Sequence, residues 1–125
     1  VTAGTAGTHR GTTMTFMTPT IYQLAALRTW HTDDLEPDQR KIHAVLGLNG
    51  EAGEVAEHIK KAVFHGHDLD RDAIKKELGD VQYYIAVLAK EFEIALEDVM
   101  ITNIEKLERR YPDGWSKDAS RNRSE

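Results

Sequence analysis

Two acidic pairs of equal spacing, Glu51-x-x-Glu54 and Glu77-x-x-Asp80, are the residues of this 125-residue chain best suited to chemistry. On a helix each residue turns by roughly 100°, so residues three apart share an edge. With Glu77 as origin, Ile74, Leu78, Val81, Ile85 and Leu88 fall between about 20° and 100°, an apolar stripe, and Asp80 falls at about −60°. With Glu51 as origin, Leu48, Ala52, Val55, Ile59 and Ala62 occupy the same arc, and Glu54 again lies at about −60°. Both segments thus carry an acidic pair along the border of a buried face. If the segments pack together, four carboxylates converge, and four anions at one point need cations among them. Oxygen-only ligation suits hard ions, Mg²⁺ or Mn²⁺, which complete their shells with water and substrate phosphates. Such pairs are common on solvated helices, so the weight rests on two of them at matching edges. Glu57, at about −120°, belongs to the surface.

Other polar residues border this edge. Tyr84 and His58 both lie at about −20° on their helices. His58 is placed either to touch a metal ligand or substrate, or to be a half-exposed histidine with no special role. His65 and His67 fall in a turn. A di-iron carboxylate centre would want Glu-x-x-His pairs, and neither acidic pair has histidine at that step. Asn103, Lys106 and Arg110 form a stripe at i, i+3, i+7, and Lys61 lies at about −80°, beside Glu54. Cations and an amide beside a carboxylate–metal cluster are what a polyphosphate chain needs, so Lys61, Asn103, Lys106 and Arg110 are the candidate phosphate contacts. Trp30, His31 and Asn49 are candidates for a base pocket, since an aromatic ring can stack on a base and an amide can meet its edge; the alternative for Trp30 is a place in the core.

These residues have to be held by helices. Thr18-Pro19 is a good cap followed by proline at the first helical position. Helix one carries Ile21, Leu24, Ala25 and Leu27 on one face and ends near Trp30. Pro37 opens helix two, which runs to about Phe64 with Gly47, Gly50 and Gly53 inside it. Each glycine costs up to ~1 kcal/mol relative to Ala in a helix, which calls for close packing, a kink or room for a ligand. Asp70 caps helix three, Arg71 to about Glu93. Helix four carries Leu96, Met100, Ile104, Leu107 and Tyr111 on one side and is stopped by Pro112 and Gly114. No segment alternates like a strand. The spacing predicts an all-α domain over residues 18–115, a four-helix bundle-like arrangement with antiparallel neighbours. Residues 1–17 are expected to be a flexible extension and 116–125 a polar tail.

Composition narrows the function classes. The chain is 40% hydrophobic and 30% charged with a net charge of −5, which does not suggest a nucleic-acid binder. Cysteine is absent, which rules out thiolate metal sites and a cysteine nucleophile, and fits a cytoplasmic protein. No apolar run is long enough to cross a bilayer, so no membrane partner is expected. There is no phosphate-binding Gly-x-x-x-x-Gly-Lys-Ser/Thr loop, no dinucleotide fingerprint and no Gly-x-Ser-x-Gly elbow. What survives is metal-assisted attack of water on a phosphoanhydride.

Gly50-Glu51-Ala52-Gly53-Glu54 followed by Glu77-Leu78-Gly79-Asp80-Val81 resembles the MazG-like nucleoside triphosphate pyrophosphohydrolases, of the all-α NTP pyrophosphatase superfamily. Asn103-Ile104-Glu105-Lys106-Leu107 and Arg110-Tyr111-Pro112-Asp113-Gly114 are similar to that family's last helix and its stop. The resemblance spans about residues 19 to 115. One departure is that the family's first motif often begins with two adjacent glutamates, where this chain has Gly50. The resemblance implies Mg²⁺-dependent hydrolysis of (d)NTPs, often with non-standard bases, to monophosphate and pyrophosphate. It implies metal ligation by Glu51, Glu54, Glu77 and Asp80, with Glu51 or Glu54 helping to deprotonate water. Tyr84, Asn103 and Lys106 match positions that contact phosphates in relatives. A homodimer or homotetramer, with helices of two chains lining each site, is also implied. The rivals are a phosphoribosyl-ATP pyrophosphohydrolase of the same superfamily and a non-catalytic helical module that binds a protein partner.

Overall fold

The computed structural model describes residues 16–122; all but the last two residues of the extension expected over 1–17 lie outside them. The order is α1 (Pro19–Leu27), α2 (Pro37–Phe64), α3 (Arg71–Glu91), α4 (Leu96–Arg110) and a short α5 (Lys117–Arg121), with no strand among the described residues. The fold is all-α, as the periodicity predicts. No described helix is long and apolar enough to cross a membrane.

The helix starts follow local chemistry. Thr18 Oγ1 accepts from the Ile21 amide at 3.1 Å, and Asp70 Oδ1 accepts from the Asp72 and Ala73 amides, both at 3.0 Å. Each bond satisfies a first-turn N–H that the helix itself leaves unpaired. At the α2 start, the Glu36 amide donates to Gln39 Oε1 at 3.0 Å ahead of Pro37. Helix α3 stops two residues before the predicted Glu93. The Glu93 amide donates to the Lys90 carbonyl at 2.8 Å and the Ile94 amide to the Ala89 carbonyl at 2.9 Å. This is the bonding of a Schellman stop, with Glu93 at φ 58° in the left-handed position that usually takes glycine. The polar tail also contains structure: Ser116 Oγ accepts from the Ala119 amide at 3.1 Å and starts α5.

Helices α2 and α3 form the main packing, and α1 and α4 lie against α3 and each other. The inward face of α1 departs from expectation. Leu24 is 63% exposed, whereas Gln23 is buried and ties three segments together. Its Nε2 donates to the Ala86 and Ile94 carbonyls, and its Oε1 accepts from the Leu96 amide, at 3.1, 3.1 and 3.0 Å. Ala95 has no side chain able to cap α4, so Gln23 does so from α1. The stripes on α2 and α3 are also only partly inward, since Ile59 and Leu78 are about half exposed. The fully buried apolar side chains are Ala44, Ala86 and Val87, with Leu96 almost so, all toward one end of the α2–α3 pair.

Candidate metal centre

Contacts between α2 and α3 fix their register. Arg40 Nε bonds Glu91 Oε2 at 3.0 Å, and Gly47 lies beneath the Tyr84 ring. Seven residues forward on α2 therefore correspond to seven back on α3, so the helices are antiparallel and meet along a heptad seam. The seam places Ala44 opposite Val87, which agrees with their burial. One further step places Glu54 opposite Glu77, and the turn between places Glu51 opposite Asp80. Of the four residues in the two pairs, Glu51, Glu77 and Asp80 come together along this seam.

Gly47 explains one of the three glycines of α2. A Cβ there would collide with the Tyr84 ring, whereas Gly50 and Gly53 face open space. Tyr84 is further wedged edge-on against Trp30 and Tyr83, with ring centroids 6.5 and 5.1 Å away. Gly47→Ala is expected to lose about 1–3 kcal/mol to overpacking, more than the ~1 kcal/mol helix propensity it gains. Urea unfolding checks this, and an added Tyr84→Ala should remove most of the penalty; a Gly47→Ala protein as stable as the parent would contradict it.

Glu51, Glu77 and Asp80 each offer a carboxylate oxygen within 4.8 Å of the others. Glu54, the fourth predicted ligand, is exposed and stands outside this group, although its charge acts on Glu51. Burial first, then the charges of Asp80, Glu77 and Glu54, push the Glu51 carboxyl above its ordinary range. Burial and the Glu51, Tyr83 and Asp80 groups likewise raise the Tyr84 hydroxyl, and burial, Asp80 and Tyr83 raise that of Tyr22. No Lys or Arg forms an ion pair with any of the three carboxylates among the described residues. Three carboxylate oxygens without a thiolate or a compensating cation fit a hard divalent ion. His58 Nε2 lies 3.3 Å from Glu77 Oε1.

Trp30 is held tightly. Its Nε1 donates to Glu91 Oε1 at 2.8 Å, and its face stacks on His43 at 4.8 Å between centroids. Burial would raise the Glu91 carboxyl, but the hydrogen bonds from Trp30 and Arg40 and the charges of Arg40 and Lys41 outweigh it and hold it below its ordinary range. The stability gained from this is complete above the ordinary glutamate value of about 4.3 and is lost as pH falls through the lowered value. Glu91→Gln should therefore flatten the acid limb of a thermal-stability profile; an unchanged limb would remove Glu91 as its source.

The other candidates are scattered. His31 and Asn49 are exposed, the first in the α1–α2 connection. Lys61 lies 3.6 Å from Glu57, its partner one turn back. Asn103 and Lys106 line an open groove on α4 with Ile94, Asp98, Val99 and Thr102. Arg110 is half-buried, and its Nε is buried without a partner. Among the described residues, no hydrogen bond or ion pair joins Lys61, Asn103, Lys106 or Arg110 to the three carboxylates. Sequence reasoning missed Tyr22, whose hydroxyl reaches toward the Gly79 carbonyl at 3.5 Å, and Glu91. The signal for Glu91 was present: it stands seven residues beyond Tyr84 and fourteen beyond Glu77, on one face of α3.

Gene 37 protein of Mycobacterium phage L5 is 34% identical over 110 residues, which cover 82% of this chain and 96% of that protein. No solved structure matches significantly. Residues 39–115, which hold both acidic pairs and the whole α2–α3 seam beyond Arg40, match the MazG nucleotide pyrophosphohydrolase domain. The chain belongs to the MazG nucleotide pyrophosphohydrolase family.

Proposed function

We propose that this protein hydrolyses (d)NTPs, those with non-standard bases among them, to the nucleoside monophosphate and pyrophosphate with Mg²⁺, Mn²⁺ being a substitute. The observation that carries this is the convergence of Glu51, Glu77 and Asp80 from two antiparallel helices. Glu51, Glu77 and Asp80 hold the cation, and Glu54 completes the set from the next turn of α2. When bound, a divalent cation activates water and neutralises charge on the departing pyrophosphate. Glu51, with its raised carboxyl, or Glu54 accepts the proton as water adds to phosphorus and the anhydride P–O bond breaks. Tyr84 sits beside the carboxylates as a phosphate contact, with Lys61, Asn103, Lys106 and Arg110 supplying charge and hydrogen bonds along the chain. Trp30, His31 and Asn49 are the base-side residues, and the edge-on contact of Trp30 with Tyr84 supports this for the first of them.

The test is incubation with Mg²⁺ and a panel of (d)NTPs, scoring monophosphate and pyrophosphate. Paired release of both products supports the reading. Release of single phosphate would overturn it, and turnover of phosphoribosyl-ATP alone would move the protein to the neighbouring activity.

The working form is a homodimer or homotetramer. Along α4, Met100, Ile101, Ile104 and Leu107 are all 40% or more exposed, although the sequence places three of them on one apolar face. A helix with such a face normally buries it. Ile104→Glu should shift the sedimentation coefficient toward that of one chain; a parent protein already sedimenting as a monomer would refute the assembly.

A further inference from the structure

We propose that His58 is a positioning residue that holds Glu77 to the cation through a single oxygen and so makes the centre prefer small octahedral ions over Ca²⁺. The inference rests on the reading that a divalent cation sits among Glu51, Glu77 and Asp80.

The histidine comes from α2, one turn beyond Glu54, and its Nε2 lies 3.3 Å from Glu77 Oε1 across the seam. An ionised carboxylate only accepts, so Nε2 carries the hydrogen and donates. Among the described residues this is the one side-chain hydrogen bond that any of the three cluster carboxylates receives. The nearby lysines do not compete for it, because Lys60 and Lys61 lie 2.6 and 3.6 Å from Glu57. Both partners are partly shielded, with side chains 35% and 22% exposed, so the contact is not a loose surface pair.

A donor on one oxygen restricts what the carboxylate can offer. Chelation by both oxygens needs them turned symmetrically to the ion, and Oε1 is turned to the imidazole instead. Ca²⁺ takes six to eight oxygens and commonly uses bidentate carboxylates, whereas Mg²⁺ and Mn²⁺ are satisfied by single oxygens in an octahedron. Partners that orient a ligand in this way typically change metal affinity 10–100-fold when removed.

Two substitutions separate orientation from bulk: His58→Leu removes the donor, and His58→Gln keeps an N–H at similar reach. Binding of Mn²⁺ is followed by the electron paramagnetic resonance of the free ion, and Ca²⁺ by its displacement of Mn²⁺, with no nucleotide present. A thermal melt in chelator checks the fold of each variant. In His58→Leu, Mn²⁺ binding should weaken about 10-fold while Ca²⁺ binding holds or rises, and His58→Gln should retain most of the parent's preference. Equal weakening for both ions, an unchanged ratio, or a His58→Gln protein that behaves like His58→Leu would overturn the proposal. A parent protein that binds neither ion would instead remove the metal centre itself, and the role of His58 with it.

Discussion

Glu51→Gln is expected to lower pyrophosphate release at least about 100-fold and, in the same protein, to raise stability in the absence of metal. The first effect follows because even partners of metal ligands cost 10–100-fold when removed, and Glu51 stands in the cluster itself. The second follows from electrostatics. A carboxyl whose folded value is raised binds its proton more tightly in the folded state than in the unfolded one. Stability therefore falls as pH rises from the ordinary carboxyl range through the raised value, a penalty that an uncharged side chain does not carry. Glutamine keeps the shape and removes the charge. Mg²⁺ at 100 times its dissociation constant should stabilise the parent by about 2.7 kcal/mol and the variant by much less. Thermal melts at neutral pH with and without Mg²⁺, beside the pyrophosphate assay, check both effects. A variant that keeps Mg²⁺-dependent turnover would remove Glu51 from the site, whatever its stability.

The acidic edge was legible because it depends only on helical angle. Glu51, Glu77 and Asp80 each sit at the border of an apolar stripe, and antiparallel packing of the two stripes brings those borders to the same side. Helix starts at Thr18 and Asp70 were legible for a similar reason, since a cap is a contact within one turn. What could not be read was the register. A seam linking Arg40 to Glu91 and Gly47 to Tyr84 is a relation between segments, and angles on single helices carry no information about it. That is why the sequence leaves Trp30 open between a base contact and the core, although Glu91 and His43 grip it, and leaves the glycines of α2 ambiguous. The spacing gathers the apolar residues of α4 on one side but says nothing of what that side faces: Ile104 is 54% exposed. An apolar stripe reports that something covers a face, and among the described residues only Leu96 at its start is well covered.

Gln23 is the clearest case of a residue that angular reasoning passes over, and its replacement should carry the largest stability cost in the fold. It sits on a mostly apolar helix, where a glutamine would be taken for surface, yet it is among the most buried polar residues described. Its amide serves three backbone groups from two other helices and the turn between them: the Ala86 carbonyl of α3, the Ile94 carbonyl after it and the Leu96 amide that opens α4. Gln23→Leu keeps the approximate volume and removes all three bonds. The buried Leu96 N–H then has no partner, and an unsatisfied buried group costs about 1–3 kcal/mol on its own. With the lost bonds to the carbonyls added, a total near 3–5 kcal/mol is expected, a large share of the 5–15 kcal/mol typical of a whole domain. Gln23→Glu separates the two halves of the clasp: it keeps an acceptor for Leu96 but faces two carbonyls with an oxygen. It should be destabilised at neutral pH and recover in acid, where a protonated carboxyl can again donate to one of them. Urea unfolding at two pH values measures both, and amide hydrogen exchange at Leu96 localises the damage to the start of α4. A Gln23→Leu protein within 1 kcal/mol of the parent would mean that water or a shifted α4 replaces the clasp at little cost.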